Sequence, residues 1–105
     1  MSIDRGDEVI LHNAIDFYGS SMQELKAMEE LGELIRAIAR ARTCDDEERD
    51  TAFENLAEEM ADVEIMLEQL EIIHDNRDEV AVWREIKLGR LSARMREELE
   101  TCDKP

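Results

Sequence analysis

Proline is nearly missing from this chain of 105 residues: the one Pro is the last residue, and there are only four Gly. With those breakers scarce and Ala, Leu, Glu, Met and Arg abundant, the composition points to helix throughout and leaves strands nowhere to sit. Basic residues are few, 13 Lys and Arg against 28 Asp and Glu, for a formal charge of −15. Such a field repels phosphates, which argues against nucleic acid or an anionic membrane as partner; a phosphate ligand needs metal ions or a local basic patch as intermediary. The only two cysteines, Cys44 and Cys102, lie 58 positions apart with no CxxC or Cys/His spacing around either. Neither a zinc site nor a disulfide framework is signalled, and free thiols in a reducing compartment are the expectation. No stretch approaches membrane-spanning length, and the opening MSIDRGDEVI is acidic where a signal peptide needs a basic start. A cytoplasmic protein is expected.

Nothing divides the composition into halves, so residues 1–105 read as a single domain, with a core over about residues 4–100 and a frayed tail from Thr101 to Pro105. So short a chain buries a modest share of its surface, and pairing with a copy of itself is the expected remedy. A first helix, about Asp4 to Tyr18, places Val9, Ile10, Asn13, Ala14 and Phe17 at helical spacing and stops before Gly19. Ser20 and Ser21 then offer N-caps, with Gln23 and Glu24 three residues on as capping-box partners, and a second helix runs to about Arg42. Thr43-Cys44-Asp45-Asp46 breaks the pattern, and a third helix is expected from about Glu47 to His74. Its acidic start, Asp45 to Asp50, reads as a solvated helix end favoured by the helix dipole. Asp75 and Asn76 cap a fourth helix, about Arg77 to Glu100. Four helices with short connections predict an all-α, antiparallel four-helix bundle.

The carboxylates are not spread evenly around these helices. At about 100° per residue, Leu25, Met28, Leu31, Leu34, Ile35 and Ile38 cover one half of the second helix. Gln23, Lys26, Glu30, Glu33 and Ala37 form a narrow stripe bordering that apolar half. The third helix is apolar over most of its circumference, as expected of a helix packed on several sides. Glu58, Glu64, Glu68 and Glu71 lie toward its polar sectors, whereas Glu59 and Asp62 project with Val63, Met66, Leu70 and Ile73, where Asn55 also points. A carboxylate withdrawn from water without a partner costs several kcal/mol, so such groups are neutralised, paired with a cation or bound to metal. If the two helices are antiparallel neighbours, Glu30 and Glu33 face Glu59 and Asp62, and four oxygen donors converge.

A site with only carboxylate and water ligands suits a hard cation, Mg²⁺ or Mn²⁺, before Zn²⁺ or Cu²⁺. Di-iron carboxylate bundles use Glu-x-x-His, and neither His12 nor His74 stands three residues after a candidate carboxylate. The fourth helix supplies complementary charge: Lys87, Arg90 and Arg94 recur on one face, with Trp83 one turn before Lys87. That stripe reads either as a phosphate dock or as a solvated basic edge pairing with acids such as Glu97. Trp83 reads either as a base-stacking residue or as a core or interface anchor.

With these residues in hand, the chain resembles the MazG-like, all-α nucleoside triphosphate pyrophosphohydrolases, whose hallmark is ExxE, a spacer, then ExxD on a second helix. Lys26-x-x-Glu29-Glu30-x-x-Glu33-Leu34 is similar to the first motif and Glu58-Glu59-x-x-Asp62-Val63 to the second, with 25 residues between Glu33 and Glu59. Gln23 upstream and Lys87-x-x-Arg90 downstream also fit, so the resemblance covers about Gln23 to Arg90. It implies that Glu30, Glu33, Glu59 and Asp62 carry Mg²⁺, and that Lys26, Glu29, Lys87 and Arg90 approach the nucleotide. Asn55 stands where some relatives carry a phosphate-contacting Lys. A homodimer or homotetramer is implied as the active unit, with clearance of aberrant nucleotides as a role.

The implied reaction converts a nucleoside triphosphate, ribo or deoxy, and water into the monophosphate and pyrophosphate. Glu29 or Glu30 is placed to take the proton of the attacking water. A different class of function remains open on the residues alone: a non-catalytic helical oligomer or regulatory module that binds nucleotide or metal, or whose carboxylates pair with Arg36, Arg40 or Arg94.

Overall fold

The computed structural model describes residues 5–102, and among them it contains four helices and no strand. Helix α1 spans Arg5–Tyr18, α2 Ser20–Thr43, α3 Arg49–His74 and α4 Arg77–Cys102. The all-helical expectation holds, with helix ends displaced by one or two residues. Thr101 and Cys102 are helical; Asp4, expected to open the first helix, and residues 103–105 of the expected tail lie outside the described residues.

The connections have local causes. Gly19 adopts φ 92°, a left-handed backbone that an L side chain resists. Its N–H donates to the Ile15 carbonyl at 2.8 Å, closing α1, and its own carbonyl accepts from the Gln23 N–H at 3.0 Å, opening α2. Helix α2 thus begins one residue earlier than the capping pattern implied: Gly19 is the N-cap without a side-chain bond, and Ser20 and Ser21 lie inside the helix. At the other end, Cys44 turns extended and its N–H bonds to the Arg40 carbonyl. Asp45 then folds the turn, its Oδ1 accepting from the Glu48 N–H at 3.1 Å, as short acidic side chains do. Asp75, at φ 49°, closes α3 in the left-handed conformation. Asn76 opens α4 through its carbonyl, which accepts from the Val80 N–H at 2.9 Å, and its side-chain Oδ1 makes no capping bond.

The chain divides into two compact units, one through His74 and one from Asp75. In the first, α2 and α3 make the most extensive packing and α1 lies against both. Two cross-helix pairs, Gln23 with Gln69 and Glu24 with His74, fix an antiparallel register, and Arg40 of α2 pairs with Glu48 in the turn just before α3. The small side chains Ala27, Ala37 and Ala52 are almost wholly buried, so the helix backbones can approach closely. Leu11, Ile15, Val63 and Met66 are the large apolar side chains buried there, each contributing about 1.5–3 kcal/mol. The second unit is α4, none of whose residues is buried.

Two expectations about faces need correction. Leu25, Met28 and Ile35, placed in the core half of α2 by the wheel, are 60%, 69% and 68% exposed, and Leu31 and Ile38 are exposed as well. What α2 buries is the stripe of Gln23, Ala27 and Ala37, with Glu30 largely covered. In α1, Val9, Ile10 and Phe17 are exposed, and Leu11 and Ile15 form the buried pair. A helical wheel ranks faces by hydrophobicity; which face meets a neighbour within the chain depends on how closely the backbones fit, and alanines fit best.

Candidate metal centre

The same register that pairs Gln23 with Gln69 brings the middle of α2 against the middle of α3. Glu30, Glu59 and Asp62 each present a carboxylate oxygen there, all within 4.8 Å of one another. Each of the three residues is half-buried, and the Glu30 side chain is only 12% exposed. Like charges this close repel, and the protein environment shields them less than water does.

The electrostatics follow from that crowding. The Glu59 carboxyl is pushed above the usual carboxylate range, first by its removal from water and then by the charges of Glu30, Asp62, Glu33 and Glu58. Asp62 is raised in the same way, by burial first, then by the Glu30 charge and a hydrogen bond to Glu30, against a smaller opposing pull from Lys26. The Glu59 Oε2 atom is buried and accepts no hydrogen bond from any described residue. Glu59, one of the three, thus keeps a buried oxygen without a hydrogen bond, and oxygen donors set this close could hold a hard divalent cation, which would offset their charge. Glu30, Glu59 and Asp62 are the residues able to hold it.

One cation of the chain already reaches this edge. The Lys26 ammonium lies 3.2 Å from Glu30 Oε1 and 3.6 Å from Glu29 Oε1, one turn along α2. Its pKa is raised, chiefly by the hydrogen bond to Glu30 and then by the Glu29 charge. Lysine thus stands between the three carboxylates and the outer face of α2.

The other expected residues are distributed more widely. Glu33 is not among the three that converge; Arg36 Nη2 donates to its Oε1 at 2.5 Å, and it reaches the site only through its charge on Glu59. Glu29 is exposed beside Lys26, and Asn55 is exposed on α3. Gln23 is 6% exposed and gives its Nε2 hydrogen to Gln69 Oε1 at 2.7 Å. Trp83, Lys87 and Arg90 are exposed on α4, in the second unit.

Gln69 is a residue that pattern reading passed over. It is 3% exposed, and its Nε2 in turn points at Met66 Sδ, 3.6 Å away. The signal was present: Gln69 stands seven residues after Asp62 and three after Met66, a polar residue on the inward sector of α3 that needed a polar partner.

A comparison with protein-family profiles, with curated proteins and with solved structures finds no match to this chain.

Proposed function

We propose that the chain is a Mg²⁺-dependent nucleoside triphosphate pyrophosphohydrolase of the MazG-like type, with Mn²⁺ as an alternative metal. The observation that carries this reading is the convergence of Glu30, Glu59 and Asp62, with a buried Glu59 oxygen left without a partner. Three carboxylates attract a divalent cation that arrives with a triphosphate, which answers how a chain of charge −15 binds an anion at all. When bound, such a cation supplies neutralisation of the triphosphate charge and a lower pKa for a coordinated water.

The chain's own residues divide the remaining work. Water attacks the α-phosphorus in line, the new P–O bond forms, and the bond to the bridging oxygen breaks to release pyrophosphate. Glu29 lies outside the converging three, exposed, next to Glu30 in sequence and 3.6 Å from the Lys26 ammonium. We assign it the role of accepting the water proton, which the sequence left open between Glu29 and Glu30. Lys26, paired with Glu29 and Glu30, would offer its ammonium to phosphate. Within the first unit, Asn55 is proposed to flank the nucleotide. The exposed apolar side chains of α2, Leu25, Met28 and Ile35, support a homo-oligomer as the working form.

The regulatory-module reading in its arginine-paired form is met at one candidate carboxylate, Glu33, which pairs with Arg36, while Arg40 pairs with Glu48 outside the site. The test is pyrophosphate release across ribo-, deoxy- and modified nucleoside triphosphates. Release that needs Mg²⁺ or Mn²⁺ and is lost in Asp62→Asn supports the reading; no release from any nucleotide with either metal overturns it.

A further inference from the structure

The carboxylates account for metal and phosphate but leave open what holds the rest of a nucleotide. Beside them, at the α1–α2 junction, lies a cleft of about 430 Å³, within the size range of small-molecule sites, roughly 300–1,000 Å³. The Gly19 reversal creates it by setting Tyr18, the last residue of α1, close to Met22 and Leu25 in the first turns of α2. Met66 of α3 and the Gln23 carboxamide complete its inner wall, and Lys26 and Glu29 form its rim.

The wall chemistry selects an occupant. An aromatic ring, two thioethers and a leucine favour a flat, polarisable, uncharged group, since sulfur and aromatic faces both pack well on π systems. The rim carries one ammonium and one carboxylate, 3.6 Å apart, so it offers no net charge to draw a phosphate into the cleft. Lys26 also touches Glu30, one of the three converging carboxylates, at 3.2 Å. A molecule lying in the cleft and extending past Lys26 therefore meets the metal centre with its other end.

We propose that this cleft is the base-binding subsite: the nucleobase lies against Tyr18, Met22 and Leu25, and the phosphates pass Lys26 to reach Glu30, Glu59 and Asp62. The inference rests on the pyrophosphohydrolase reading for its substrate class and adds where the base sits. Selection among bases falls to the Gln23 carboxamide, the uncharged hydrogen-bonding group on the cleft wall.

The experiment compares equilibrium binding of two probes with Mg²⁺ present: a nucleoside triphosphate with a non-hydrolysable imido bridge between the α- and β-phosphorus, and inorganic triphosphate, which has no base. The analogue is expected to bind at least about tenfold more tightly, the scale of one base–aromatic contact. Tyr18→Ala and Met22→Ala, both at exposed positions, are expected to remove most of that advantage, and Tyr18→Phe to keep it. Their inorganic triphosphate binding and the metal-induced rise in melting temperature should stay as in the parent. Equal binding of both probes to the parent overturns the subsite, as does an advantage unchanged in Tyr18→Ala and Met22→Ala. Lost pyrophosphate release with a retained analogue advantage refutes the hydrolase and supports the cleft; release with Michaelis constants unaltered by Tyr18→Ala and Met22→Ala refutes the cleft alone.

Discussion

The buried Gln23–Gln69 pair sets the α2–α3 register, and removing one partner should be felt through the whole first unit. Gln23 Nε2 donates to Gln69 Oε1 at 2.7 Å with both residues nearly inaccessible to water. Gln69→Ala takes away the acceptor and leaves the Gln23 amide buried with nothing in its place, a loss of about 1–3 kcal/mol for one unsatisfied polar group. The missing side-chain atoms add a packing term on top, reduced by whatever collapse the neighbours allow. A helical unit of this size melts about 4–8 °C lower for each kcal/mol lost. Gln69→Ala should therefore lower the melting temperature, followed by circular dichroism without ligand, by at least about 5 °C. Replacing both residues by Leu removes donor and acceptor together and fills the space with apolar atoms, so the double variant should fall within about 1 kcal/mol of the parent. A Gln69→Ala protein that melts like the parent, or a double variant whose loss equals the sum of the two single Leu replacements, would refute the claim that this bond joins the helices.

Other consequences follow from the charges around Glu30, Glu59 and Asp62. The folded-state pKa values of Glu59 and Asp62 are raised, so their contribution to stability is full below the ordinary carboxylate range and lost as pH climbs through the raised values. In a chelator, the melting temperature contributed by this site should thus rise as pH is lowered from neutral through the raised values toward the ordinary carboxylate range, and Glu59→Gln should flatten that rise while melting higher than the parent at neutral pH. Lys26→Met removes the cation resting on Glu30; metal affinity measured by calorimetry should increase while the Michaelis constant for nucleotide worsens. Arg36→Ala breaks an exposed pair with Glu33 and should change stability by less than about 0.5 kcal/mol in a denaturant titration. The proposed homo-oligomer through the exposed apolar face of α2 predicts that Ile35→Glu, which places a charge there, gives a smaller particle than the parent by light scattering.

The sequence announced the helices clearly, because almost no Pro or Gly interrupts them and the periodic runs end at turn-forming residues such as Gly19 and Asp45. It also marked Glu59 and Asp62, which share an apolar sector of α3, and the structure brings both to Glu30. Less of α2 was legible. Its hydrophobic half looked like core, yet the chain buries the flank bearing Gln23, Ala27, Glu30 and Ala37. Periodicity records that a face is apolar and is silent on whether its neighbour comes from the same chain. Glu33 illustrates the same limit at the scale of one side chain: its spacing from Glu30 puts it near the site, and the hydrogen bond from Arg36, three residues on, decides where its oxygen goes. The cleft at Tyr18 could not be anticipated, since it arises where two helices meet at a reversed glycine and no motif encodes that angle.

The central claim is that Glu30, Glu59 and Asp62 hold one divalent cation, and calorimetric titration of Mn²⁺ into metal-free protein tests it most directly. The parent should bind with a saturating isotherm, and at free metal about 100 times the dissociation constant the gain is about 2.7 kcal/mol, a rise of roughly 10–20 °C in melting temperature. Glu59→Gln and Asp62→Asn should each lose at least about tenfold in affinity, while Glu64→Gln, an exposed acid on the same helix, should bind as the parent does. An isotherm that never saturates, or Glu59→Gln and Asp62→Asn proteins that bind Mn²⁺ as tightly as the parent, would contradict the account.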